Sequence, residues 1–184
     1  MRAPGAEGRR WWLLAGAATT VLIIAAPWLI RGGDAPFVQT ASFANQLGGY
    51  RLEYPVGWTA TAMSATTRVA SAERDVVVGI GRAPAGSLAS ASRAFTAAVL
   101  RVYRQVRIGS RTEQEVAERD AVLFAGTGVN ATGVSVRWLT VTMRDGGRNL
   151  GVSVFTRADS DPERLLPMLH TLIGSIEPIG TRTG

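Results

Sequence analysis

Residues 134–157 read VSVRWLTVTMRDGGRNLGVSVFTR, and the fold turns on this stretch. Val134–Arg144 and Asn149–Arg157 are rich in β-branched and aromatic residues, the composition of strands. Between them lies Asp145-Gly146-Gly147-Arg148, whose glycines accept the positive φ angles that a tight hairpin needs. An antiparallel hairpin is expected here. In its first strand Val136 and Trp138 fall at one parity and Leu139, Val141 and Met143 at the other, so both faces of the sheet are expected to be covered. Trp138, flanked by Arg137 and Leu139, has two readings: core packing under a helix, or a sheet face covered by a partner or ligand.

Working upstream, Val106–Glu115 and Arg119–Gly126 supply two more extended segments. Before them Ser87 can cap a helix in which Leu88, Phe95, Val99, Val102 and Tyr103 recur at steps of three and four residues, with an end expected near Gln105. Val76–Ile80 is a β-branched run leading into a loop with Gly81, Pro84 and Gly86, and residues 59–70 are expected to form one strand. Tyr50-Arg-Leu-Glu-Tyr54 alternates as a strand and ends in the turn Pro55-Val-Gly-Trp58. Downstream, Asp159-Ser-Asp161-Pro162-Glu163 carries the cap candidates, early proline and acidic first turn of a helix start. That helix is expected to run to about Ser175, with Pro167 kinking or delaying its first turn. Strands, a helix, a run of antiparallel strands and a terminal helix give an α+β fold, an antiparallel sheet with helices packed on it. The domain is placed at residues 47–178, with a tail over 179–184 and a linker over 31–46, where Pro36 and scattered polar residues show no clear period.

Tyr50-Arg-Leu-Glu-Tyr-Pro-Val-Gly-Trp58, the middle helix, the Gly-centred hairpin and the closing Leu172-Ile-Gly-Ser-Ile176 resemble the PsbP-like superfamily, which includes actinobacterial surface lipoproteins of the LpqN type. The resemblance covers about residues 47–178. It implies an α/β/α sandwich around an antiparallel sheet, used mainly as a non-enzymatic assembly or binding module at membranes. The chain has no Cys, so it departs from the lipoprotein members, and a protein helix would replace the lipid anchor. No metal or ligand residue is carried over by the resemblance.

That helix is legible at residues 11–30, WWLLAGAATTVLIIAAPWLI, twenty residues without a charge. At about 1.5 Å per residue a helix of this length spans roughly 30 Å, the thickness of a bilayer's hydrocarbon core. Trp11, Trp12 and Trp28 stand near its ends, where indole rings favour the interface, and Arg9, Arg10 and Arg31 bracket it. Arg2, Arg9 and Arg10 precede the span and Arg31 follows it, which orients residues 1–10 to the cytoplasm and the domain to the outside. A cleaved secretory signal would have a shorter apolar core of about 7–15 residues and a small-residue cut site. The span is therefore read as an uncleaved anchor in the plasma membrane. Gly16 and Thr20 form a small-xxx-small pair of the kind that seats a second helix, a pattern common in Ala/Gly-rich spans.

The 184 residues are 46% hydrophobic and 18% charged, which excludes a disordered chain. Twenty basic residues, all Arg, stand against fourteen acidic ones for a net charge of +6. Residues 1–31 hold four Arg and Glu7, and the rest holds sixteen Arg against thirteen acids, so each part carries +3. So mild an excess, without a clustered basic face, sets nucleic acid aside. Arg93, Arg101 and Arg104, with Arg107 beyond, are expected on the polar side of the middle helix, facing anionic headgroups or an acidic partner, or solvent alone.

No pattern specifies a reaction. His170 is the single histidine and has no second His at metal-ligand spacing. Glu113, Glu115 and Glu118 read as a solvated strand and turn, without the oxygen spacing of a calcium loop. Gly79-Ile-Gly81-Arg-Ala-Pro84 has proline where a dinucleotide fingerprint needs its third glycine, and Gly126-Thr-Gly128 lacks the Lys-Ser/Thr of a phosphate loop. Asn130-Ala-Thr132 fits the glycosylation sequon. The expectation is a non-enzymatic, cofactor-free, single-pass membrane protein whose outer domain binds another envelope or membrane protein, as an accessory or assembly subunit. The alternative is a lipid or small-ligand carrier with an apolar pocket between sheet and helix. A hydrolase would require converging carboxylates or a serine with a base.

Overall fold

The computed structural model describes residues 38–179, so the anchor residues Trp11, Trp12, Trp28, Arg9, Arg10 and Arg31 lie outside the described residues. The chain runs β1 (Thr40–Asn45), β2 (Tyr50–Pro55), β3 (Thr59–Met63), β4 (Thr66–Ala70), β5 (Val76–Arg82), α1 (Leu88–Leu100), β6 (Arg104–Val116), β7 (Arg119–Val129), β8 (Ser135–Asp145), β9 (Arg148–Arg157), α2 (Pro162–Gly174) and β10 (Glu177–Pro178). Seven strands form one sheet in the order β3-β4-β5-β9-β8-β7-β6, and three form a smaller sheet, β1-β2-β10. Every neighbouring pair is antiparallel. The β8–β9 hairpin is the one expected, with Asp145 opposite Arg148 and both Gly146 and Gly147 at positive φ.

In the middle of the large sheet both parities are buried. On one face a branched aliphatic row crosses five strands: Val69, Val78, Val154, Leu139 and Ala125, in register. The next row carries Ile80, Val152, Val141 and Leu123. Leu165, Leu169, Leu172 and Ile173 of α2, and Tyr50 and Leu52 of β2, complete this core. The opposite face holds Val122, Phe124 and Trp138, with Leu88, Leu100, Tyr103 and Phe155 around them. Here α1 lies close against the sheet because Gly151 faces it, and a Cβ at Gly151 would stand 2.6 Å from the Phe95 ring. Thr96 of α1 and Thr140 of β8 share a buried hydrogen bond of 2.6 Å between their hydroxyls.

Three boundaries differ from expectation. First, β1 lies inside the expected linker, because a six-residue strand of small and polar residues around Phe43 carries too little alternation to be seen before it pairs with β2. Second, residues 59–70 fold as two strands, turned at Ser64, which takes a positive φ of 59°. Third, α1 stops at Leu100 instead of near Gln105. The Arg101 N–H reaches Ala98 O and the Tyr103 N–H reaches Leu100 O, a tightened last turn. Tyr103 then stacks on Phe155 with ring centroids 4.5 Å apart, and Gln105 takes a positive φ of 50°, which a helix cannot continue.

The small sheet is clamped to the large one by two polar side chains. The Asn45 amide donates to Ser64 O at 3.1 Å, to Thr66 O at 2.9 Å and to the Thr67 hydroxyl at 3.1 Å, while its oxygen accepts from the Gly48 N–H at 2.8 Å. The buried Tyr50 hydroxyl donates to Ile80 O at 2.9 Å and lies 2.8 Å from the Thr67 hydroxyl. Burial pushes the Tyr50 phenol above its ordinary value, against the pull of its hydrogen bonds. Because the folded pKa is raised, the phenol's contribution is complete below a pH of about 10 and is lost as pH rises through the folded value. The chain has no Lys or Cys to titrate in that range. Tyr50→Phe is expected to lower unfolding stability by about 1–2 kcal/mol at neutral pH, and to flatten part of the alkaline loss. Urea unfolding between about pH 8 and pH 11 reads both.

Candidate functional site

The expected helix face of arginines does not exist as such. Arg93 is exposed on α1, Arg101 follows the last helical residue, and Arg104 begins β6 opposite Val129. The early stop of α1 separates them and delivers Arg104 and Arg107 to the last strand of the large sheet. Trp138 is 1% exposed beneath the end of α1, and its indole N–H donates to Thr127 O at 3.0 Å, so it is a core residue of the face that α1 covers. His170 is half-buried on α2. Among the described residues there is no group of three or more His, Cys, Asp or Glu able to hold a metal, and no helix long and apolar enough to cross a membrane.

The surface that stands out is the outer edge of β6. This strand is thirteen residues long and ends the large sheet, and β7 is its only strand partner among the described residues. Val106 is 36% and Ile108 60% exposed on it, with Val102 at 70% just before. Its first half is irregular, with register shifts between Arg104 and Arg107 and between Ile108 and Ser110, and the positive φ at Gln105. From Ser110 to Val116 it pairs with β7 residue for residue. Irregular edges resist pairing with a further strand, and regular ones invite it. At the other end of the sheet, β3 is only five residues of Thr, Ala and Met.

Charge along β6 is divided. Residues 76–112 contain Arg82, Arg93, Arg101, Arg104, Arg107 and Arg111 and no acid, whereas Glu113, Glu115, Glu118 and Asp120 follow at once, with Arg119 among them. Arg119 is engaged inward, donating to Ile176 O at 2.8 Å and standing 3.9 Å from Asp145. Arg111 pairs with Glu113 on its own strand and sits 5.9 Å over the Phe124 ring. The strand thus presents an arginine-rich first half, an acidic second half and exposed valine and isoleucine between the arginines. The acid-free run was readable in the sequence, but its meaning depends on α1 ending where it does. The seat of β6 depends on Gly126, whose absent side chain leaves room for the Arg107 carbonyl and the Trp138 ring.

Comparison with solved structures shows a PsbP-like fold. The cyanobacterial PsbP (CyanoP) of Synechocystis sp. PCC 6803 matches at a TM-score of 0.54 and 15% identity, over 80% of this chain and 97% of that one. The Ran-binding protein Mog1p of Saccharomyces cerevisiae matches at 0.53 and 10% identity, over 79% and 98%. LpqN of Mycobacterium tuberculosis, involved in cell envelope biogenesis, matches at 0.50 and 9% identity, over 76% and 90%. No family model and no curated protein sequence matches the chain. The resemblance read from Tyr50–Trp58 and the Gly-centred hairpin therefore holds at the level of the fold.

Gly126→Ala is expected to destabilise the domain by about 1–3 kcal/mol, because the new Cβ meets a backbone carbonyl and a rigid ring. Amide hydrogen exchange should show protection lost first along β6 and its pairing with β7.

Proposed function

We propose that the chain is a non-enzymatic, single-pass membrane protein whose extracytoplasmic PsbP-like domain docks a protein along the open edge of β6, as an accessory or assembly subunit of a cell-envelope complex. The observation that carries this reading is the edge itself: a terminal strand of thirteen residues, regular from Ser110 to Val116, with exposed Val106 and Ile108 beside that stretch. An open strand edge offers a row of backbone donors and acceptors, and an incoming protein segment can extend the sheet there while side chains supply selectivity. Exposed apolar side chains at such an edge favour a covering partner.

Placement at a membrane is supported by residues 11–30, which are free of charge and bracketed by Arg9, Arg10 and Arg31. Only nine residues separate Ile30 from Thr40, where β1 begins. Even fully extended, at about 3.3–3.6 Å per residue, they hold the domain within roughly 30 Å of the bilayer. The same fold serves in a Ran-binding protein and in a protein of cell envelope biogenesis, which accords with a binding module at an envelope.

Native mass spectrometry of the full-length chain, purified from its own membranes in mild detergent, tests this. A protein held at fixed stoichiometry is expected, and Arg104→Glu with Ile108→Asp should release it. Recovery of the chain with a defined lipid and no protein would instead support a carrier.

A further inference from the structure

We infer that the protein taken by this edge is a second copy of the chain, β6 pairing antiparallel with β6 across a twofold axis at Thr112. The inference rests on the reading that the β6 edge docks a protein, and it follows from the order of charges along the strand. An antiparallel pairing of β6 with itself sets the half bearing Arg104 and Arg107 alongside the half bearing Glu115 and the turn with Glu118. A strand with one sign at each end is complementary to its own reversed copy.

The register follows from the same charges. In a sheet continued across a twofold, the axis is normal to the sheet and paired residues share a face, so residues of equal parity meet. With Thr112 opposite Thr112 of the partner subunit, Arg111 faces Glu113 of the partner subunit and Glu113 faces Arg111 of the partner subunit. Moving the axis one residue back sets Arg111 against itself, and moving it one residue on sets Glu113 against itself. Like charges directly opposite destabilise a strand pair, whereas opposite charges and Thr–Thr pairs stabilise it. The pairing falls within Ser110–Val116, the part of β6 free of register shifts. Arg111 and Glu113 pair with each other within one chain, and with side chains 41% and 60% exposed they can exchange that partner for its counterpart on a second strand.

The remaining architecture permits it. An axis normal to the sheet keeps α2 and the small sheet on one side in both copies. Since β1 belongs to that layer, both chains enter from the same side, as two anchors in one bilayer require.

The test uses the full-length chain in mild detergent, followed by sedimentation velocity, with near-UV circular dichroism as the check on folding. A dimer is expected. Arg111→Glu and Glu113→Arg should each weaken it at least tenfold. An equimolar mixture of these two variants should restore dimers, because every facing pair then has opposite signs, and so should the double swap in one chain. Thr112→Cys, the sole cysteine in such a chain, should cross-link under mild oxidation, and Ser110→Cys should not. A wild-type chain that is monomeric at all concentrations, a dimer indifferent to the swaps, or a mixture that does not recover would each overturn the inference. If the monomer carries a foreign protein that Arg104→Glu releases, self-pairing fails while the edge reading stands. A monomer with no protein removes both.

Discussion

The constraint on which the structure depends is that its central strands are buried on both faces. Ala121, Val122, Leu123, Phe124 and Ala125 are consecutive in β7, and every one is buried. Val141, Thr142 and Met143 repeat this in β8, and Leu150, Gly151, Val152, Ser153 and Val154 in β9. A strand of this kind gains about 1.5–3 kcal/mol for each large apolar side chain only if a layer covers it on either side. The two faces solve the problem differently. One carries branched aliphatics and takes α2 together with β2, whereas the other carries Gly151, Thr140 and Ser153 beneath α1 and concentrates its aromatic groups at one end.

Those two solutions set where the surface features fall. Close approach of α1 needs the absent side chain of Gly151 and the shared hydrogen bond of Thr96 with Thr140. Tyr103 leaves the helix to stack on Phe155, and the chain re-enters the sheet at the next residue, Arg104. The arginines that follow are thereby carried from a helix to a strand edge. Layers cover faces and leave edges, so the one long strand with a strand partner on one side alone, among the described residues, is β6.

Much of this was legible in the sequence wherever a local rule acts alone. The hairpin at Asp145–Arg148 followed from its glycines, and the start of α1 from Ser87, whose hydroxyl accepts from the Ser90 N–H at 3.2 Å. What escaped was decided by contacts distant in sequence. β1 is a strand because β2 is beside it, and Val102 belongs to the helical spacing of α1 yet lies beyond its end, since the ring of Tyr103 finds its place against β9. The candidate edge is half visible in the sequence: Arg93, Arg101, Arg104 and Arg107 read as one side of a helix, and Glu113, Glu115 and Glu118 as a separate strand face and turn. Only the structure puts Arg104, Arg107, Glu113 and Glu115 on one strand, β6, with Arg101 before it and Glu118 in the turn after it.

The unequal edges of the large sheet also govern how the protein avoids uncontrolled growth. A head-to-tail contact joining β6 of one copy to β3 of the next would not close, and open arrangements of that sort lengthen into ribbons. Here the two edges differ in length, five residues against thirteen, and the first half of β6 is broken by bulges. Such a mismatch acts as a brake on polymerisation, which matters most for a fold whose interior strands, if briefly exposed during synthesis, are among the stickiest sequences a chain can carry.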